Sequence, residues 1–138
     1  MGVLLLSVLD ASAMTAFLER EPGGEIVRDL LADPARTCYA HAWNLCEVFY
    51  DFHRSGGETA AQDAMRQLFE ATVKPRADLD TEFWQAVGRL KSIHRRVSLA
   101  DCCCIALAQR LGGELMTSDR HELGPLEPLG LCPMRFIR

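Results

Sequence analysis

The chain has 138 residues, 49% hydrophobic and 25% charged, a length and balance that suit one globular domain, residues 1–138, with a full core. A formal net charge of −4 argues against a general nucleic-acid coat protein, which carries an overall basic charge. Six cysteines, three of them consecutive, lack the spacing of a disulfide framework, so a reducing cytoplasm is the expected compartment. The apolar opening Val3–Leu9 is too short to span a membrane and lacks a basic leader, so neither a membrane anchor nor a signal peptide is expected.

Residues 3–9 form an apolar run ending on Asp10, as expected of a strand buried on both faces of a parallel sheet. A helix over about 12–20 follows, with Ala13, Ala16 and Phe17 on one face. Pro22-Gly23-Gly24 breaks the chain before a second helix (Ile26, Val27, Leu30, Leu31) that Asp33-Pro34 stops. Thr37–Ala40 reads as a second strand. The next helix runs from about Trp43 to Arg54, with Leu45, Val48, Phe49 and Phe52 as its core stripe. Ser55-Gly56-Gly57 ends it, and another amphipathic helix covers 58–71.

Residues 73–79 are a weak third strand or a loop. A helix from about Asp80 to His94 places Phe83, Val87, Leu90 and Ile93 at core spacing. The helix from Ser98 to Arg110 is apolar all round and therefore buried, and Gly112-Gly113 stops it. Glu114–Thr117 is a strand, Gly124-Pro125 and Pro128 mark a loop, and residues 134–137 form a last strand. Strands alternating with helices imply a three-layer α/β/α fold around a mainly parallel sheet of four to five strands.

One carboxylate sits in the wrong place. Asp101 lies in the first turn of the buried helix, where an ionised group without a partner costs several kcal/mol. Ser98-x-x-Asp101 fits a capping box, with Asp101 returning a hydrogen bond to the Ser98 amide. The other reading is a metal site, and the placement of further acids decides how far it reaches.

In an open parallel sheet, function collects at the carboxyl ends of the strands, where crossover helices also begin. Asp10 ends the first strand, Asp119 follows the strand at 114–117, and Asp101 and Glu47 lie within a turn of helix N-termini at that edge. Taken singly, Asp10 is a helix cap, Glu47 a solvated acid and Asp119 a turn residue. Taken together they repel one another unless cations lie among them. Hard divalent ions such as Mg2+ or Mn2+ prefer such oxygen ligands. A pair ~3.5–4 Å apart can hold the attacking and leaving oxygens of a phosphodiester in line.

The series Val8-Leu9-Asp10-Ala11-Ser12, Asn44-Leu45-Cys46-Glu47-Val48-Phe49-Tyr50-Asp51, Ser98-Leu99-Ala100-Asp101 and Thr117-Ser118-Asp119 resembles the PIN-domain family, and most of all its VapC-type toxins. The match runs in order along essentially the whole chain. The resemblance implies a Mg2+- or Mn2+-dependent ribonuclease whose catalytic and metal-binding acids are Asp10, Glu47, Asp101 and Asp119. It implies supporting roles for Ser12 and Thr117, which match small hydroxyl positions that orient ligands or waters, and for Asn44. It further implies an RNA substrate, a homodimer, and an antitoxin partner that blocks the active-site groove. The Cys102-Cys103-Cys104 run departs from the family pattern without touching the acids.

Consecutive helical cysteines point about 100° apart, so these three are read as packing residues. Cys38, His41 and Cys46 lack a usable fourth zinc ligand. Arg89, Lys91, Arg95 and Arg96 form a basic run before the Asp101 helix, either a solvated helix end or a contact for an RNA backbone. Two other classes remain open. A phosphatase with an aspartyl nucleophile commonly carries an acid two residues beyond the first, where this chain has Ser12. A phosphoacceptor signalling module relies on a lysine late in the chain, and none follows Lys91.

Overall fold

The computed structural model describes residues 5–138. Five strands form one sheet in the order β3-β2-β1-β4-β5, all neighbours parallel: β1 Leu6–Leu9, β2 Thr37–His41, β3 Lys74–Arg76, β4 Glu114–Thr117 and β5 Met134–Phe136. The helices are α1 Ala11–Leu18, α2 Gly24–Ala32, α3 Ala42–Glu70, α4 Thr81–Ile93, α5 Leu99–Leu111 and the short α6 Arg120–Leu123, which runs into a 3-10 turn over Gly124–Leu129. The expected three-layer architecture is therefore present, with five strands.

Alternation along the central strands divides the core. Leu9 and Met116 pack with α1, α2 and α3, whereas Val8 and Leu115 pack with α4 and α5, because successive side chains of a strand point to opposite faces. Cys102, Cys103 and Cys104 are 0–2% exposed and belong to the α5 layer, so they are packing residues. Burial pushes the thiols of Cys102 and Cys103 up to about 11.

Most element boundaries follow the sequence pattern. The strand expected over 3–9 is seen as Leu6–Leu9, and its Val3 and Leu4 lie outside the described residues. The two helices expected on either side of Ser55-Gly56-Gly57 follow one another directly across a break at Gly57. Its φ of 82° is a backbone conformation that glycine adopts without steric cost. The weak 73–79 segment yields β3, which among the described residues pairs with β2 alone. An edge strand tolerates Pro75, which has no N–H to donate. Residues 124–129, expected as loop, close into the 3-10 turn. Gly24 lets α2 approach α1, since a Cβ there would lie 2.2 Å from the Ala16 carbonyl oxygen.

From β1 the sheet grows one way through β2 and β3 and the other way through β4 and β5. The carboxyl ends of β1 and β4 thus border the point where the winding reverses, the usual place for a binding crevice. α1 leaves the end of β1 at Asp10 and α6 leaves the end of β4 at Asp119. α3 starts at the end of β2.

Candidate active site

Asp10 is 1% exposed and caps α1, its Oδ1 accepting from the Ala13 amide at 2.8 Å and the Ser12 hydroxyl at 2.7 Å. The cap and the site are one residue, because a carboxylate that accepts on one oxygen still presents the other. Burial is the largest influence on this carboxyl and pushes it up to about 6, against the hydrogen bonds from Thr117, Ala13 and Ser12 that favour its charged form.

Ser12 and Thr117 join the two ends of the crevice. The Ser12 hydroxyl accepts from the Ser118 amide at 2.9 Å and lies 3.3 Å from the Thr117 hydroxyl. Thr117 accepts from the Asp119 amide at 2.9 Å, and Asp119 in turn caps α6 by accepting from the Glu122 amide at 2.9 Å. These two hydroxyls hold Asp10 and Asp119 in fixed relation.

Asp101, 9% exposed, stands in the first turn of α5 as expected, but only half of the capping box forms. The Ser98 hydroxyl accepts from the Asp101 amide at 3.1 Å. The Ser98 amide donates to the carboxylate of Glu122 instead of to Asp101. With its capping task taken over by a residue from α6, the Asp101 carboxyl faces its neighbours. Its oxygen, one from Asp119 and one from Glu122 all lie within 4.8 Å of one another. The Asp101 carboxyl is raised well above the ordinary range, first by burial and then by the neighbouring acids Asp10, Glu122 and Glu47.

Glu47 is half-buried on α3 and outside that group of three, but its carboxyl is raised by burial and then by the charges of Asp10, Asp51, Glu122 and Asp119. It lines a cavity of about 240 Å³ with Ser12, Asp51, Ser118 and Arg138. Asn44, one turn earlier, is 0% exposed. Its Nδ2 donates to the Ala100 carbonyl at 3.3 Å, tying α3 to the residue before Asp101, while its Oδ1 has no hydrogen-bond partner among the described residues.

The structure therefore brings Asp101 and Asp119 into mutual reach, places Asp10 and Glu47 within their field, and adds Glu122. Sequence reading missed Glu122 because it falls in a four-residue helix without a readable period. A signal was present: Asp119-x-x-Glu122 has the spacing of a helix cap and its third helical residue. No residue of the basic run forms an ion pair with an acid among the described residues. Arg89, Arg95 and Arg96 are exposed, and the Lys91 amine donates to the carbonyls of Arg95 and Val97 at 2.9 and 2.7 Å. Both nitrogens of His41 are engaged, with the Trp43 amide and the Asp78 carbonyl.

The donor set fits a hard divalent cation. All the convergent side chains offer carboxylate oxygen, the choice of Mg2+ and Mn2+, and the charges acting most strongly on Asp10, Glu47 and Asp101 are other acids. Desolvated like charges gain most from a cation placed between them.

The fold is shared with known proteins. VapBC of Salmonella typhimurium, solved bound to DNA, superposes with a TM-score of 0.73 at 15% identity, covering 98% of this chain and 100% of that one. VapBC2 of Rickettsia felis, bound to a DNA fragment from its promoter, gives 0.72 at 15% identity over 95% and 98%. VapC20 of Mycobacterium tuberculosis, a toxin that cleaves the sarcin–ricin loop, gives 0.67 at 17% identity over 86% and 94%. No curated protein sequence matches the chain. The sequence model of the PIN domain matches residues 7–123, and the chain belongs to the PIN-domain family.

Proposed function

We propose that this chain is a metal-dependent endoribonuclease of one domain, the toxin of a toxin–antitoxin pair. The observation that carries the reading is the meeting of Asp10, Glu47, Asp101 and the Asp119–Glu122 pair from four separate segments at one sheet edge, where burial and neighbouring acids raise the carboxyls of Asp10, Glu47 and Asp101. Such an arrangement opposes folding unless cations offset it. The solved VapC and VapBC structures support the toxin assignment through the shared fold.

In this reading Asp101, Asp119 and Glu122 hold Mg2+ or Mn2+, with Asp10 and Glu47 completing the ligand set. A bound divalent ion supplies the charge that lowers the pKa of water and stabilises a phosphodiester transition state. The protein's own part is orientation. Ser12 and the Ala13 amide fix the Asp10 carboxylate, Thr117 fixes the turn that carries Asp119, and Asn44 ties α3 to the Ala100 carbonyl beside Asp101. Glu47 borders the cavity with Ser12 and Asp51. Asp10 would keep its cap while holding a cation, since Ala13 and Ser12 both donate to the one oxygen Oδ1.

The partner is an antitoxin that covers this crevice, the protein works as a homodimer, and its compartment is the cytoplasm. No helix among the described residues is long and apolar enough to cross a membrane. The test is RNA cleavage by purified protein in Mg2+ or Mn2+. Cleavage is expected to stop with EDTA and in Asp10→Asn and Asp101→Asn purified in parallel. Cutting that survives either substitution would sink the assignment.

A further inference from the structure

Beside the acidic cluster lies a pocket of about 630 Å³ between the α4–α5 turn and α6 with its 3-10 extension. That volume is in the range of about 300–1,000 Å³ typical of small-ligand sites. Val97 and Leu126, both buried, form apolar lining, Ile93 is 73% exposed at its edge, and Arg95 and Arg96 stand on its wall. Glu122 lines the same pocket and also belongs to the group with Asp101 and Asp119, so the two sites share a wall.

The wall is held from both sides. The Ser98 amide donates to Glu122, and Lys91 bonds the carbonyls of Arg95 and Val97. The backbone of the turn is therefore tied down while the two arginine side chains project outwards. Arg54, Arg66, Arg76 and Arg110 are each paired with acids. Among the described residues, Arg95 and Arg96 have no ion-pair partner. Two guanidinium groups without ion-pair partners among the described residues, on the wall of an apolar pocket that shares Glu122 with the carboxylate cluster, are complementary to a ligand that is anionic on one side and apolar on the other.

We propose that this pocket takes one unstacked nucleotide of a single-stranded RNA, adjoining the phosphate processed at the acidic cluster. The base rests against Ile93 and Leu126, and Arg95 and Arg96 contact the flanking phosphates. Single-stranded RNA fits this shape because its bases can splay out of the stack, whereas those of a duplex are paired. The inference rests on the ribonuclease reading and adds to it the place of the nucleotide beside the processed phosphate.

The test measures binding of a fluorescent single-stranded RNA 12-mer to the Asp10→Asn protein, alone and combined with Arg95→Ala/Arg96→Ala. An Arg28→Ala/Arg66→Ala pair is the charge-matched control. The pocket variant should lose at least about tenfold in Kd, with the salt slope falling by roughly 1.4, since each single-strand phosphate contact contributes about 0.7; the control should stay within about twofold. A 4-thiouridine RNA should crosslink to peptides carrying Ile93 or Leu126, and the same sequence as a duplex should not. Unchanged affinity and slope in the pocket variant would overturn the proposal, as would equal crosslinking by the duplex. Unchanged RNA affinity with lost capture of a co-expressed antitoxin would reassign the pocket to a protein partner. If the wild type cuts RNA and the pocket variant cuts with the same kcat/KM, the pocket assignment fails while the nuclease stands. If the wild type cuts no RNA, the nuclease reading fails and the binding and crosslinking results alone decide the pocket.

Discussion

Substituting Asp10 by Asn should stabilise the metal-free protein at high pH, at the same position where it abolishes function. Asp10 is 1% exposed and its carboxyl titrates at about 6, against 3.8 for an ordinary aspartate, chiefly through burial. The folded state therefore holds the proton more tightly than the unfolded chain. Stability falls as pH rises from about 4 to 6, and the raised Asp101 carboxyl extends that fall to higher pH. A difference near two pKa units is worth about 3 kcal/mol above pH 7, at 1.36 kcal/mol per unit. Asn keeps the Oδ1 acceptor for Ala13 and Ser12 without ever ionising. Its advantage over the wild type should be small at pH 4 and approach about 3 kcal/mol at pH 8, on the order of 10 °C in Tm for a chain of this size. Thermal melts of both proteins in EDTA at pH 4, 6 and 8 measure it. An Asp10→Asn protein no more stable than the wild type at pH 8, or a wild type whose Tm climbs from pH 5 to 8, would refute the desolvated-acid account.

Two further outcomes rest on the same geometry. Saturating Mg2+ should raise the wild-type Tm at pH 8, by an amount equivalent to about 2.7 kcal/mol at a hundredfold excess over Kd, and the increment should shrink in Asp10→Asn; equal increments would remove Asp10 from the ligand set. Ser12→Ala takes an acceptor from the Ser118 amide and a donor from Asp10. It should cost about 1–3 kcal/mol by denaturant melt, and lower cleavage at least about tenfold because Asp10 and Asp119 lose their link.

The parts of the molecule that a sequence displays are those governed by local rules. A continuous apolar run marked β1, the short stretch after Gly112-Gly113 marked β4, helical stripes marked α2, α3 and α4, and the all-apolar α5 declared its burial. The rule that ligands gather at strand ends then pointed to Asp10, Asp101 and Asp119 without any local motif. Contacts between distant segments were hidden. Ser98 and Asp101 have capping-box spacing, yet the acceptor for the Ser98 amide comes from Glu122, 24 positions away. β3 reads weakly because a three-residue edge strand containing Pro75 has neither length nor alternation. The unpaired state of Arg95 and Arg96 is equally illegible, since it depends on which acids the fold brings near.

Glu122 ties these threads together, because it does two jobs that a pair of substitutions can separate. Its carboxylate accepts from the Ser98 amide, anchoring the α4–α5 turn, and it stands with Asp101 and Asp119 where a cation would bind. Glu122→Gln keeps an oxygen for the amide and removes the charge. The metal-free protein should melt no lower than the wild type, since a like charge near Asp101 is gone, while Mg2+ affinity by calorimetry should fall at least about tenfold. Glu122→Ala removes both, leaving the Ser98 amide without its acceptor at a cost of about 1–3 kcal/mol, and should lose metal affinity to a similar extent. Wild-type Mg2+ affinity in Glu122→Gln would reduce the residue to a strut for the turn. Equal loss of stability in both variants would show instead that the charge itself, and not the hydrogen bond, holds the turn to α6.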